Sequence, residues 1–161
     1  MIFQRLSIFI RTFIFKSVNM VTFYAHAVLF VKDGCRPFDN SLADEATAFV
    51  RTVFGYKGIQ CKEVCVQPDH VHVLLKIPER ADVFAALNTL RYWLQDFVER
   101  NSTQPPFEWQ ERFWLVSKSP ADVEAMRKYF RRQADYHARH SIEQEWEDLM
   151  DLEEMGESEV E

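Results

Sequence analysis

Three residues, Gln67-Pro68-Asp69, are all that separate two stretches that read as strands, Ile59 to Val66 and His70 to Ile77. A link that short cannot carry the crossover a parallel pair requires, so the two must run antiparallel as a hairpin. Everything else in the chain has to be arranged around that hairpin. Before it, Val21 to Val31 (VTFYAHAVLFV) reads as a strand ended by the turn signal Lys32-Asp33-Gly34. Ser41 to Phe54 then spaces Leu42, Ala46, Phe49, Val50 and Val53 helically, with Gly55 as a stop. After the hairpin, Val83 to Val98 carries a second helical stripe, Asn101 to Pro106 is a loop, and Phe113 to Val116 can supply a fourth strand. The order β-α-β-β-α-β predicts an α+β fold: a ferredoxin-like (RRM-like) antiparallel sheet with helices on one face. Ser119-Pro120-Ala121-Asp122 is a good helix start, with a serine cap, proline at the first position and an acid after it. The spacing predicts that this extra C-terminal helix, which carries Tyr129, runs to about His140.

No internal repeat or linker divides the 161 residues, a length suited to one domain with its own core. Three cysteines, Cys35, Cys61 and Cys65, make no disulfide framework and no zinc-site spacing, which suggests free thiols in a reducing compartment. The net charge of -6 argues against a nucleic-acid partner only until it is divided along the chain. Glu143 to Glu161 holds ten acids and no Lys or Arg, leaving 15 acids against 19 Lys and Arg elsewhere. A mildly basic body therefore precedes an acidic end, of which 151–161 is expected to be a disordered tail. The first twenty residues are apolar and aromatic with Arg5, Arg11 and Lys16. The two inner cations interrupt them too often for a membrane span or signal segment, so no membrane is expected. We read 1–20 as an extension, with Met20 as the preferred start, and 21–150 as the domain.

The hairpin's second strand holds the chemistry. Side chains alternate along a strand, so His70 and His72 share one face, away from Val71 and Val73. On the last helix Tyr129 and Gln133 stand four apart and also share a face. Arg127, Lys128, Arg131, Arg132 and Arg139 surround that pair with positive charge. A tyrosine hydroxyl, with an ordinary pKa of about 10, needs cations or a metal beside it to act as a nucleophile. Two imidazoles make half of a coordination shell, and the Gln133 amide oxygen can add to it while leaving open positions for a phosphate oxygen. Nitrogen ligands suit manganese or zinc.

Plainer readings stand beside these. Two histidines on a strand are often structural, a helical tyrosine often packs at a core edge, and a basic run can be a solvated face. Tyr136, seven residues past Tyr129, is the rival nucleophile, with His140 rather than a glutamine four residues later. His26, His137 and His140 read as structural or secondary rather than as ligands, and Asp69 as a turn residue able to orient a histidine.

PDHVHVLL resembles the His-hydrophobic-His signature of HUH endonucleases. The chain from about Val21 to Met150 resembles the single-tyrosine transposases of the insertion-sequence two-hundred family and their relatives, the REP-associated tyrosine transposases. The likeness includes His26 and Arg36-Pro37-Phe38 after the first strand. It continues from Phe107 with a Trp-Gln element, Ser-x-Ser before a helix, Tyr then Gln four later, His137, and an acidic-hydrophobic helix from Ile142 to Met150. Where such proteins often have a glycine-rich aromatic segment, this chain has Glu111-Arg112-Phe113-Trp114. The resemblance implies a metal-dependent endonuclease and strand transferase acting on single-stranded DNA in transposition. His70, His72 and Gln133 would hold Mg2+ or Mn2+, and Tyr129 would form a 5′-phosphotyrosine. Arg91 would contact DNA where the family often has a lysine, along with Arg127, Lys128, Arg131 and Arg132. It further implies hairpin or palindromic DNA ends as partner, a homodimer, and a place in the bacterial cytoplasm or nucleoid. The alternative from another class is a domesticated hairpin DNA- or RNA-binding module without turnover.

Overall fold

The computed structural model describes residues 23–32, 34–39 and 41–157; the expected extension at 1–20 lies outside them. β1 (Phe23–Phe30), β2 (Gln60–Val66), β3 (His70–Ile77) and β4 (Trp114–Lys118) form one antiparallel sheet in the order β2-β3-β1-β4. The helices are α1 (Ala43–Tyr56), α2 (Val83–Asn101), α3 (Val123–Arg131), α4 (Gln133–His137) and α5 (Ile142–Glu157). The expected hairpin is present, closed by Gln67 N–H donating to the His70 carbonyl at 2.9 Å. Together with β1 and β4 it gives the ferredoxin-like order predicted from the sequence.

Alternation divides each strand between two layers. Ala25, Ala27 and Leu29 of β1 and Val71, Val73 and Leu75 of β3 turn to one face. There they pack with Ala46, Val50 and Val53 of α1 and Ala86, Leu87, Leu90 and Leu94 of α2 into the main core. Asp82 fixes the start of α2 by accepting from Ala85 N–H at 2.9 Å. On the opposite face, Val28 pairs with His72 and Phe30 with His70 across β1 and β3. This face is covered by the C-terminal helices. A second, smaller cluster of Val28, Phe30, Trp114 and Leu149 anchors α5 there.

Two boundaries differ from expectation. The start of the extra helix is as predicted, with a reciprocal Ser119–Asp122 capping box. The single helix to His140 is instead two pieces, α3 and α4, broken at Arg132, whose N–H bonds to the Tyr129 carbonyl. Neither Pro nor Gly marks the break, so helical periodicity runs through it unaltered. The acidic end also differs: α5 continues through residues 151–157, where a disordered tail was expected, and 158–161 lie outside the described residues. Among the described residues no helix is long and apolar enough to cross a membrane.

Candidate metal and nucleophile centre

Strand β3, held on both edges by β1 and β2, fixes the backbone of His70 and His72. Both rings are fully buried, and each has its Nδ1 engaged: His70 with Asp69 Oδ1 at 2.6 Å, His72 with His26 Nε2 at 3.1 Å. Their Nε2 atoms are buried without a hydrogen-bond partner, as is the Oε1 of the buried Gln133. Orphaned buried polar atoms are costly, and here the two imidazole nitrogens face one centre.

The group at that centre is Glu145 of α5, 1% exposed. Its Oε1 accepts hydrogen bonds from the Tyr129 hydroxyl and from Gln133 Nε2 at 2.8 Å. Its Oε2 is 3.0 Å from His137 Nε2. The two orphaned imidazole nitrogens each lie 3.4 Å from the carboxylate, an electrostatic contact short of hydrogen-bond geometry. His70, His72 and Glu145 each present a ligand atom, all within 4.8 Å of one another. Two imidazole lone pairs and a carboxylate converging on one point, with the Gln133 amide beside them, fit a divalent cation.

Electrostatics follow from this packing. Burial pushes His72 down to about 4, keeping its ring neutral, and burial beside His72 likewise holds His26 well below its ordinary value. Burial would raise the Glu145 carboxyl, but the hydrogen bonds from His137 and Tyr129 and the closeness of His72 outweigh it, so the group stays ionised. For His137 burial is likewise outweighed by Glu145, and its pKa is raised. Burial and the Glu145 charge push Tyr129 well above its ordinary range, so its hydroxyl stays protonated.

The structure thus brings His70, His72, Tyr129 and Gln133 together from two distant parts of the chain. Tyr136 lies apart from them, with its hydroxyl on Asp148 at 2.5 Å. Lys128, Arg131 and Arg132 are exposed, whereas Arg127 is half-buried, 3.8 Å from Glu63 and 3.6 Å from Glu124. Arg91 donates to the Gln110 carbonyl at 2.6 Å and holds the 110–111 loop. Beside the centre, a pocket of about 750 Å3 has Phe30, Asp69, Arg112 and Trp146 among its walls.

Sequence reasoning missed Glu145; His137 and His26, read as structural or secondary, touch the centre's own groups. The signal for Glu145 was there. Ile142, Glu145, Trp146 and Leu149 recur at helical spacing, so an acid stands on the apolar stripe of α5. The other acids of that segment, Glu143, Glu147 and Asp148, are exposed.

A family model described as "Transposase IS200 like" matches residues 19–133. No curated protein matches the chain. Among solved structures, a protein of Deinococcus radiodurans R1 described provisionally as a transposase is similar with a TM-score of 0.58 at 15% identity, over 71% of this chain and 93% of its own. The REP-associated tyrosine transposase bound to a REP hairpin has a TM-score of 0.57 at 12% identity, over 75% and 73% respectively. At such identities the likeness speaks for the fold. The family match is the wider statement, because it spans most of the chain and contains both histidines, Tyr129 and Gln133. The chain belongs to the IS200-like transposase family, enzymes that act on DNA.

Proposed function

We propose that this protein cuts and rejoins single-stranded DNA at hairpin ends, using Tyr129 as nucleophile and a divalent cation at His70, His72 and Gln133. One observation carries the proposal: two orphaned buried atoms, His70 Nε2 and His72 Nε2, face an anionic centre that also holds the Tyr129 hydroxyl and the Gln133 amide. The nitrogen-rich donor set favours manganese over magnesium. When bound, the cation supplies positive charge that polarises the scissile phosphate and makes the phenol more acidic.

The remaining steps belong to the chain. Tyr129 Oη attacks phosphorus, the Oη–P bond forms and the P–O3′ bond breaks. The phenolic proton passes to solvent as Oη attacks, and the departing 3′-oxygen takes up a proton from solvent. The products are a 5′-phosphotyrosine and a free 3′-hydroxyl, which reverses the step during rejoining. Tyr129 faces the histidines of its own chain, and a homodimer would present two such centres for two DNA ends. Arg127, Lys128, Arg131 and Arg132 neutralise DNA phosphates beside the tyrosine, and Arg91 shapes the loop that flanks the pocket. The pocket beside Asp69 receives a nucleotide next to the cut. Glu145 stands where an anionic phosphate oxygen has to come, so α5 withdraws before DNA enters.

A test is incubation with a labelled single-stranded hairpin and Mn2+ or Mg2+. The wild-type protein is expected to form a denaturation-resistant adduct, and Tyr129→Phe to bind the hairpin without forming it. An adduct that persists in Tyr129→Phe but vanishes in Tyr136→Phe refutes the assignment. One observation favours the second reading, a hairpin-binding module without turnover: the ligand atoms are sealed and Tyr129 is tied to Glu145. It predicts binding indifferent to chelator and to His70→Ala, with no adduct from any chain.

A further inference from the structure

His26 lies on β1, the strand between β3 and β4, and is 1% exposed. We propose that His26 is the positioning residue of His72: its Nε2 accepts the proton of His72 Nδ1 and so keeps the His72 Nε2 lone pair turned to the metal. The inference rests on the metal reading above and adds a residue to it.

The geometry of the two rings is unusually restrictive. Their planes are 14° apart and their centroids 5.4 Å apart, yet the two nitrogens are only 3.1 Å apart. That nitrogen separation is the centroid distance less the two ring radii, the shortest the rings can reach at that spacing. The centroids and both nitrogens therefore fall nearly on one line, with the rings edge to edge in almost one plane. A face-to-face stack is excluded. The N–H axis of one ring points straight along the lone pair of the other, the alignment a hydrogen bond prefers.

Only one proton fits between those nitrogens, and the metal decides which ring carries it. A neutral imidazole has one donor and one acceptor nitrogen. A coordinating His72 Nε2 uses its lone pair, so the His72 proton must sit on Nδ1. His26 Nε2 must then be bare. The opposite arrangement, with His26 donating, would put an N–H on His72 Nε2 and turn it toward the place of the cation. For His70 the corresponding task falls to Asp69, whose Oδ1 is 2.6 Å from Nδ1 and accepts only when ionised. Both ligand rings thus have the far nitrogen held, one by a carboxylate on the turn and one by a buried imidazole from the neighbouring strand.

Rigidity makes the arrangement effective. His26 is fixed by β1 pairing on both sides, opposite Leu74 of β3 and Val116 of β4. Phe130 of α3 lies against both imidazoles, with centroids 5.4 Å from each. Neither ring can turn without displacing it. Outer partners of this kind change metal affinity about 10–100-fold when removed, because they set tautomer and orientation together.

Two measurements on the full chain test this. In 15N-labelled protein loaded with Zn2+ as a diamagnetic probe, long-range imidazole 1H–15N spectra should show the His72 proton on Nδ1 and His26 Nε2 unprotonated. A protonated His26 Nε2 in the loaded protein overturns the proposal. Separately, His26→Gln keeps an acceptor oxygen at a similar reach and should bind Mn2+ with nearly wild-type affinity. His26→Leu should bind it about 10–100-fold more weakly. Equal affinity of His26→Leu and wild type, or an equal loss in both variants, also overturns it, since a merely space-filling role would not distinguish an acceptor. Failure of the wild-type protein to bind any of these ions instead removes the metal reading itself.

Discussion

Glu145→Gln is the most searching perturbation of the centre, because it changes one charge and almost no volume. In the wild-type protein Oε1 accepts from Tyr129 and from Gln133 Nε2 at 2.8 Å, while Oε2 is 3.0 Å from His137 Nε2. His137 Nδ1 also faces the His140 carbonyl at 3.3 Å, so bonding both oxygens makes His137 a double donor, a cation. A glutamine that places its oxygen at Oε1 keeps Tyr129 and Gln133 but turns two charge-assisted bonds into neutral ones, roughly halving each. Its amide nitrogen replaces Oε2 and ends the ion pair with His137. Relief from burying a charge offsets part of this loss. The net cost is about 1–3 kcal/mol in metal-free protein. Urea unfolding in EDTA at neutral pH measures it as a lower midpoint at unchanged slope. The exposed neighbour Glu147, changed to Gln, should stay within about 0.5 kcal/mol of wild type. A Glu145→Gln protein as stable as the Glu147→Gln control, or more stable than wild type, refutes the description of Glu145 as the hub of the centre.

Leu149→Ala removes a buried side chain from the small cluster that anchors α5 and should weaken its docking by about 2–5 kcal/mol. Amide exchange should quicken across Ile142 to Met150 while β1 and β3 stay protected, and hairpin cutting should speed up; an undocked α5 with an unchanged cutting rate contradicts the need for Glu145 to leave. Replacing Arg131 and Arg132 by Ala should weaken hairpin binding irrespective of sequence and lower the slope of log affinity against log salt by about 1 per lost phosphate contact. A slope equal to wild type in the double variant places the DNA elsewhere.

Local constraints made the fold legible. A three-residue link forces an antiparallel hairpin, and strand alternation alone puts His70 and His72 on one face. Tyr129 and Gln133 were legible from a four-residue spacing even though the helix carrying them breaks at Arg132. Both still reach Glu145, because the break begins a new turn without reversing the face. His26 was a different matter. Its bond to His72 spans 46 residues and depends on the register of β1 against β3. Nothing in the local pattern of either strand states that register, so a histidine on β1 could be read as structural or secondary but not assigned to His72.

Glu145 shows why composition misleads at a site. Summed with nine other acids it marks an acidic end, and solvation is the ordinary fate of such a segment. A helix resolves the same residues by angle, and angle separates Glu145 from its neighbours. Glu143, Glu147 and Asp148 meet water, while Glu145 turns inward with Ile142, Trp146 and Leu149. An ionised carboxylate does not stay on an apolar stripe without compensation, since its burial costs several kcal/mol. The stripe therefore predicts partners for it, and the chain's hydrogen-bond donors and orphaned imidazoles are what it finds. In the mechanism proposed above, that buried anion occupies the centre to which a DNA phosphate must be brought. The acidic helix is thereby part of the site's chemistry, and its charge cannot be counted against a nucleic-acid partner.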